Sequence, residues 1–288
     1  MNRQQSFQNN QATLYVIATP IGNLSEISPR VIEAIENSQV VFCEDTRVTG
    51  QLLSHLNLKK PLISAYENIE KQSSEKVLQH LKLNENVAFM SDAGYPGISD
   101  PGQIIINEVI QSHYNVVVIN GPCALIQSVV ASGLDTRHFY FYGFLDAKPS
   151  IRKKELEQLK TFPNTIIFYQ SPHKITSCLQ DMLQILGNRK ICICRELTKK
   201  FEEYIRGNIS EIIPICETFK GEMVVIVEGF KEKEEQTLSL NECLLLIEEQ
   251  IEKGLSKTEA IKQIALKNHL SRKDLYQYYH QQNKEKGE

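Results

Sequence analysis

VAFMSDAGYPGISDPGQIIINEVIQS, residues 87–112, reads as an apolar strand (87–90), a loop rich in glycine and proline (91–102) and an apolar-periodic helix (103–112). A strand that runs through such a loop into a helix is the ligand-binding turn of an open α/β sheet. Gly94, Gly97 and Gly102 let backbone approach a ligand, while Pro96 and Pro101 hold the loop in one shape. A phosphate cradle wants bare backbone N–H groups and a lysine, yet this loop carries Asp92 and Asp100, whose charge repels polyphosphate. The chemistry suits hydroxyls and a cation, as in a ribose joined to a sulfonium. A purely structural Gly/Pro turn is the alternative.

Working outward, the pattern of strand, loop and helix recurs. LYVIA (14–18) ends at Thr19-Pro20-Ile21-Gly22-Asn23, and Ser28-Pro29 opens a helix. A strand over 38–43 runs into Glu44-Asp45-Thr46-Arg47 and a helix; a weak strand (62–65) and a helix (73–83) precede the central stretch; NVVVIN (115–120) ends at Gly121-Pro122-Cys123-Ala124 before a helix over 125–132. Alternation of this kind predicts a mostly parallel sheet covered on both faces, with ligands beyond the carboxyl ends of its strands. The loops at Pro20, Asp45, Asp92 and Gly121 all lie at those ends, so they are expected to converge on one crevice.

The second half predicts another α/β domain with more antiparallel pairing: strands at 165–169, 190–194, 203–206 and 223–227, with a helix over 172–186. The aromatic run 139–144 is read as core packing rather than base stacking. Arg152-Lys153-Lys154, on a helix over 151–159, forms a positive cluster suited to RNA or to a solvated face. After Gly229 the charged run 231–235 reads as linker, and three short helices follow. Ser271, with Asp274 three residues on, caps the last of them. The run 256–279 has a helix-turn-helix outline, with Arg272, Lys273, Gln277 and His280 on the last helix and Lys257, Lys262 and Lys267 nearby. Docking element and nucleic-acid reader remain equally open for it. The expected organisation is a disordered tail (1–13), two α/β domains (14–121 and 122–230), a linker (231–238) and a small all-α domain (239–288).

A length of 288 residues suits two or three domains, and 41% hydrophobic content supports sizeable cores. A net charge of −3 gives no global basic field, so nucleic-acid contact must come from local patches. Seven cysteines, an odd number with no C-x-x-C pair, support neither a disulfide framework nor a zinc site. Cys192 and Cys194 alternate in a strand and should face the same way as buried thiols. With no signal peptide and no apolar run of membrane-spanning length, no membrane contact is expected and a reducing cytoplasm is the expected location.

Several ordered stretches, YVIATPIGNLSEISPR, CEDTRVTGQLL, SDAGYPGISDPG, NGPCALIQSVVASGL, FYQSPHK, CRELTKKFEE and KGEMVVIVEG, resemble the ribosomal RNA small subunit methyltransferase I family of the tetrapyrrole-methylase superfamily. The resemblance runs from about Leu14 to Gly229 and includes the helical tail. It implies two α/β domains with S-adenosylmethionine in the cleft between them, a homodimer, and 2′-O-methylation of a cytidine in the decoding centre of 16S rRNA in the small ribosomal subunit. The motifs carry cofactor contacts onto Pro20, Ile21 and Gly22; onto Ser91, Asp92, Ala93, Gly94, Asp100 and Pro101, with Gly102; onto Gly121, Pro122, Cys123 and Ala124; and onto Tyr169, Glu222 and Met223. Tyr95 stands where the family usually has Thr, Gln170 where it has Glu, and Lys174 where Arg is common.

A ribose hydroxyl is a poor nucleophile, so a base, or a positive group that steadies the forming alkoxide, would help. Asp45, Arg47, His173 and Lys174 are the catalytic candidates, unranked among themselves. Asp45-Thr46-Arg47 also reads as a helix cap with an ion pair, and His173 as a structural contact at a helix start. Glu196 and Lys199 read as an interdomain pair or a substrate rim, and Lys199-Lys200 as a basic RNA element. The chemistry requires no metal.

Overall fold

The computed structural model describes residues 3–232, 238–268 and 270–285, and the chain divides into two compact units, 1–230 and 231–288. In the first unit the chain runs β1 (Thr13–Ile17), α1 (Pro29–Glu36), β2 (Val40–Cys43), α2 (Thr46–His55), β3 (Leu62–Ser64), α3 (Glu70–Lys82), β4 (Val87–Met90), α4 (Gln103–Gln111), β5 (Asn115–Ile119) and α5 (Ala124–Ala131). These five strands form a parallel sheet in the order β3-β2-β4-β1-β5. Alternate residues face opposite ways. Val16, Phe42 and Phe89 pack with Val77, Ile105 and Val109 of α3 and α4, while Ile17, Val41 and Met90 pack with Val31, Ile35 and Leu53 of α1 and α2. Burial on both faces is why these strands read as unbroken apolar runs.

The same unit continues through β6 (Phe139–Phe144), α6 (Pro149–Gln158), β7 (Thr165–Gln170), α7 (Ile175–Leu186), β8 (Lys190–Arg195), β9 (Glu203–Asn208), α8 (Ile209–Ile212) and β10 (Met223–Val227). The second sheet runs β6-β7-β10-β8-β9; only β6 and β7 are parallel. One face packs on α6 and α7 through Leu156, Phe168 and Val225, and the other on α5 through Val129, Ile167 and Val224. Helix α5 therefore leaves the first sheet and covers the second. That places the carboxyl-end loops of the first sheet beside β7, β8 and β10.

Several expectations are corrected. The aromatic run of β6 is an edge strand and only partly core: Phe139, Tyr140 and Phe144 are exposed, while Tyr142 and Phe141 pack on the cores of the two sheet faces. Arg152 does not join a surface cluster. It is 3% exposed and donates from Nε and Nη2 to Asp181 Oδ2 at 2.8 and 2.6 Å, tying α6 to α7, while Lys154 stays exposed. Residues 3–12 are not a free tail: Gln4 pairs both amide groups with the Val116 backbone, and Asn9 bonds Asn115, so this segment borders β5. The expected linker lies partly outside the described residues.

The second unit contains α9 (Leu240–Glu252), α10 (Lys257–Lys267) and α11 (Arg272–Glu285) around Cys243, Ile247, Ile261, Leu275 and Tyr279. A capping box joins Ser239 and Glu242, and Ser271 Oγ accepts from Asp274 N, as the residue spacing predicts. Arg272, Lys273 and Gln277 are exposed; Lys257 lies over the Tyr279 ring and His280 packs on Tyr276. Among the described residues no helix is long and apolar enough to cross a membrane.

Candidate functional site

The carboxyl-end loops of the parallel sheet are laced together by backbone groups. Thr19 and Gly94 exchange N–H···O bonds of 2.8 and 3.1 Å, and Thr19 Oγ1 donates to Ser91 O, joining the loops after β1 and β4. Asp45 N donates to Asp92 Oδ1 and Asp92 N to Glu44 Oε2, joining the loops after β2 and β4. The Tyr95 hydroxyl accepts from Gly121 N at 3.2 Å, which brings in the loop after β5. Tyr95 therefore acts as a crosslink between two loops as well as a wall of the cleft. The expected convergence is observed.

The end of the central loop has a support that the sequence did not reveal. Glu70, 6% exposed at the start of α3, accepts from Gly102 N at 2.9 Å, Ile104 N at 2.7 Å and Ile105 N at 3.3 Å with a single oxygen. A helix N-terminus with free N–H groups is an anion site. Here the α4 N-terminus is already satisfied by a carboxylate, so it offers nothing to a phosphate. Gly102 is required at this point, since its φ is +141° and a Cβ would meet Phe89 Cε1 at 2.6 Å.

Between the loops and the second sheet lies a cavity of about 280 Å³. Of the residues the motifs single out for the cofactor, Ile21, Ala93, Gly94, Asp100, Cys123, Ala124, Tyr169, Glu222 and Met223 line it. Pro20, Gly22, Ser91, Asp92, Pro101, Gly121 and Pro122 belong to the same loops but do not line the cavity. Gly22 meets the β8–β9 loop so closely that a Cβ would lie 2.5 Å from Lys199 Cγ.

None of the four catalytic candidates lines the cavity. Asp45 caps α2 through Arg47 N at 2.8 Å and forms a forked pair with the Arg47 guanidinium, Nη2 to Oδ2 at 2.6 Å. Those bonds hold its carboxyl down at about 2. His173 and Lys174 sit exposed in a short 3-10 turn before α7. Residues the sequence did not assign to the cavity include Ile98, Ser99, Phe144, Ser171, Cys194, Leu197 and Val224. Phe144 was hidden by the core reading of its strand, and Cys194 by the ordinary burial of thiols. Its Sγ lies 3.6 Å from that of Cys192, so the two do share a face. Gln170 lines the cavity too and holds Ser171 N through its Oε1.

The lining carries the acids Asp100, Glu196 and Glu222 and one base, Lys199, which is bound to Glu196 at 3.0 Å. Glu196 and Thr198, at φ of 51° and 65°, hold this loop in a left-handed conformation unusual for their residue types. Burial and the neighbouring charges of Glu44, Asp92 and Glu222 push the Asp100 carboxyl up to about 6, and burial pushes Tyr169 up to about 12. An acidic cleft with apolar walls from Ile21, Leu197, Met223 and Val224 accepts a ligand with a positive centre, hydroxyls and a flat apolar portion, and repels polyphosphate. S-adenosylmethionine has all three features, so the residues fit it.

The cleft thus lies between the carboxyl-end loops of a parallel sheet and a second, mixed sheet. Residues 13–213 match the family model of Tetrapyrrole (Corrin/Porphyrin) Methylases. The fold is also similar to a uroporphyrin-III C-methyltransferase from Thermus thermophilus complexed with S-adenyl homocysteine, with a TM-score of 0.54 at 15% identity over 75% of this chain and 97% of that one. Ribosomal RNA small subunit methyltransferase I of Halalkalibacterium halodurans is 39% identical over 98% of this chain and all of that protein. The Bacillus subtilis protein of the same name is 39% identical over 97% and 99%. The chain belongs to the tetrapyrrole methylase family and, within it, to the ribosomal RNA small subunit methyltransferase I group.

Proposed function

We propose that the protein methylates ribosomal RNA with S-adenosylmethionine, and that its acceptor is the ribose 2′-hydroxyl of a cytidine in the decoding centre of 16S rRNA within the small subunit. The observation that carries this reading is the acidic, apolar-walled cleft in a chain whose near-full-length relatives bear a ribosomal RNA methyltransferase name. When bound, S-adenosylmethionine supplies an electrophilic methyl group. Ile21, Gly94, Cys123, Ala124, Tyr169 and Met223 are the residues that would hold it, and Glu222 is suited to its hydroxyls or positive centre. Chain elements that fix position do most of the rest, because an in-line displacement gains mainly from alignment. The loop lacing by Thr19, Gly94 and Tyr95 keeps the cleft walls in register.

RNA would approach over exposed basic and aromatic groups: Lys200 lies over the exposed Phe201 ring next to Lys199, and Lys154 is free of the buried Arg152 pair. Two copies acting together are proposed as well, since the β6 edge strand leaves Phe139 and Tyr140 exposed. A cytoplasmic location accords with all seven cysteines being free thiols. The deciding experiment is transfer of labelled methyl to small subunits that lack the modification, followed by nuclease mapping. Label on a 2′-oxygen in the decoding centre is expected; label on a base or none at all would overturn the acceptor assignment.

A further inference from the structure

The function proposed above leaves open which group takes the acceptor's proton. We propose that the Asp100 carboxylate is the general base, accepting the hydroxyl proton as the methyl group is transferred; this rests on the methyltransferase reading of the same cleft. Geometry separates Asp100 from every other candidate. Asp45 lies outside the cavity with both oxygens engaged by Arg47, and His173 and Lys174 are exposed outside it. Glu196, within the cavity, is bound to Lys199, and Glu222 is at the exposed rim. Asp100 lines the cavity, is partly buried, and among the described residues its carboxyl receives no hydrogen bond or ion pair. An unpartnered carboxylate facing a cavity is free to bond a hydroxyl.

Its surroundings also raise its affinity for a proton. The groups around it are Glu44 after β2, Asp92 after β4, Glu222 before β10, and the Tyr169 hydroxyl on β7. Lys199 on the β8–β9 loop is the cation of the cavity lining, and Glu196 holds it. With burial, the acids push the carboxyl up to about 6. At neutral pH it is still largely ionised, yet it is a stronger base than an ordinary aspartate. The balance is complete without a further reactant. The oxygen–methyl bond forms as the sulfur–methyl bond breaks, the electron pair stays on sulfur, and the sulfonium becomes a neutral thioether. The hydroxyl proton passes to Asp100 and from there to water.

The test combines Asp100→Asn and Asp100→Glu with three readouts: single-turnover methyl transfer to unmodified small subunits across pH, calorimetric binding of S-adenosylmethionine, and the carbon-13 carboxyl shift of Asp100 in ligand-free protein. The wild-type rate is expected to rise with pH and level off above about 6, in step with the carboxyl shift. Asp100→Asn should lose about 100-fold or more in rate and lose that inflection, with affinity for S-adenosylmethionine held within about threefold. Asp100→Glu should keep part of the rate with a displaced inflection. Unchanged rate and inflection in Asp100→Asn would overturn the proposal, as would affinity lost in parallel with rate, which would make Asp100 a cofactor-holding group. If Asp100→Asn does not fold, the carboxyl shift decides, and titration near 4 refutes the base role. Wild-type protein that binds S-adenosylmethionine but transfers nothing to RNA would sink the RNA reading and this proposal with it, while leaving the carboxyl titration intact as a separate result.

Discussion

Glu70 and Asp100 use the same functional group in opposite ways. Glu70 is buried, with one oxygen serving three N–H groups at the α4 N-terminus. Hydrogen bonds to a charged acceptor are worth about 1.5–3 kcal/mol. Glu70→Gln is therefore expected to lower the unfolding free energy by about 2 kcal/mol in urea titration, and to weaken S-adenosylmethionine binding because the Asp100–Gly102 segment loses its anchor. A variant as stable as the wild type would show the anchor to be dispensable. Asp100 works the other way, since its raised carboxyl costs stability. The folded state holds its proton up to about 6, whereas the unfolded chain releases it near 3.8, so stability falls as pH rises between those values. About two pH units correspond to about 2.7 kcal/mol, which solvent at a half-buried site cuts to roughly 1 kcal/mol. Asp100→Asn should thus melt a few degrees above wild type at pH 7.5, and the gap should close toward pH 4. Asp100 lies in the loop 91–102, where the sequence marked it as a cofactor contact rather than a base; Glu70 was not legible, because its partners lie more than thirty positions downstream and nothing in EKQSSEK signals a buried carboxylate.

Helix α6 shows how an element's packing can reverse the meaning of a motif. Read in sequence, Arg152-Lys153-Lys154 is a charge run, but a helix turns successive side chains in different directions. Arg152 falls inward beside Leu156 and meets Asp181 of α7; Lys153 reaches Asp181 at 3.4 Å and Gln184 at 3.0 Å; Lys154 alone points to water. Breaking a buried pair strands a charge, at a cost of about 3–5 kcal/mol. Arg152→Ala should destabilise the protein by that order in guanidinium unfolding, and Arg152→Met with Asp181→Leu should recover most of the loss. Lys154→Ala should leave stability unchanged and weaken RNA binding at low salt. If Arg152→Ala weakened RNA binding at full stability, the buried assignment would fail. Strand β6 teaches the same lesson in reverse: an aromatic run reads as core, but sheet order decides burial, and β6 stands at an edge. Order in a mixed sheet depends on pairings far apart in the chain, which local pattern does not record. The parallel first sheet was legible because its strands are apolar on both faces and each ends in its own loop.

At the scale of the whole molecule, the two units have separate cores. Residues of the first unit make up the packing around both sheets, and the helical unit closes its own cluster through Ile247, Ile261 and Leu275. A chain ending at Phe230 keeps every cavity residue and every bond that laces the loops. It should therefore fold cooperatively and bind S-adenosylmethionine as the full chain does. RNA affinity is a different matter. With a net charge of −3 the protein has no general attraction for RNA, so each local group of exposed cations counts, and α11 presents Arg272 and Lys273. Removing residues 231–288 should raise the KM for small subunits about tenfold or more and flatten the salt dependence, with S-adenosylmethionine affinity unchanged. Unaltered transfer kinetics would instead make the helical unit a docking element for another partner, which is the reading that its helix-turn-helix outline left equally open. Loss of S-adenosylmethionine binding would show that the first unit depends on the second, which its separate core argues against.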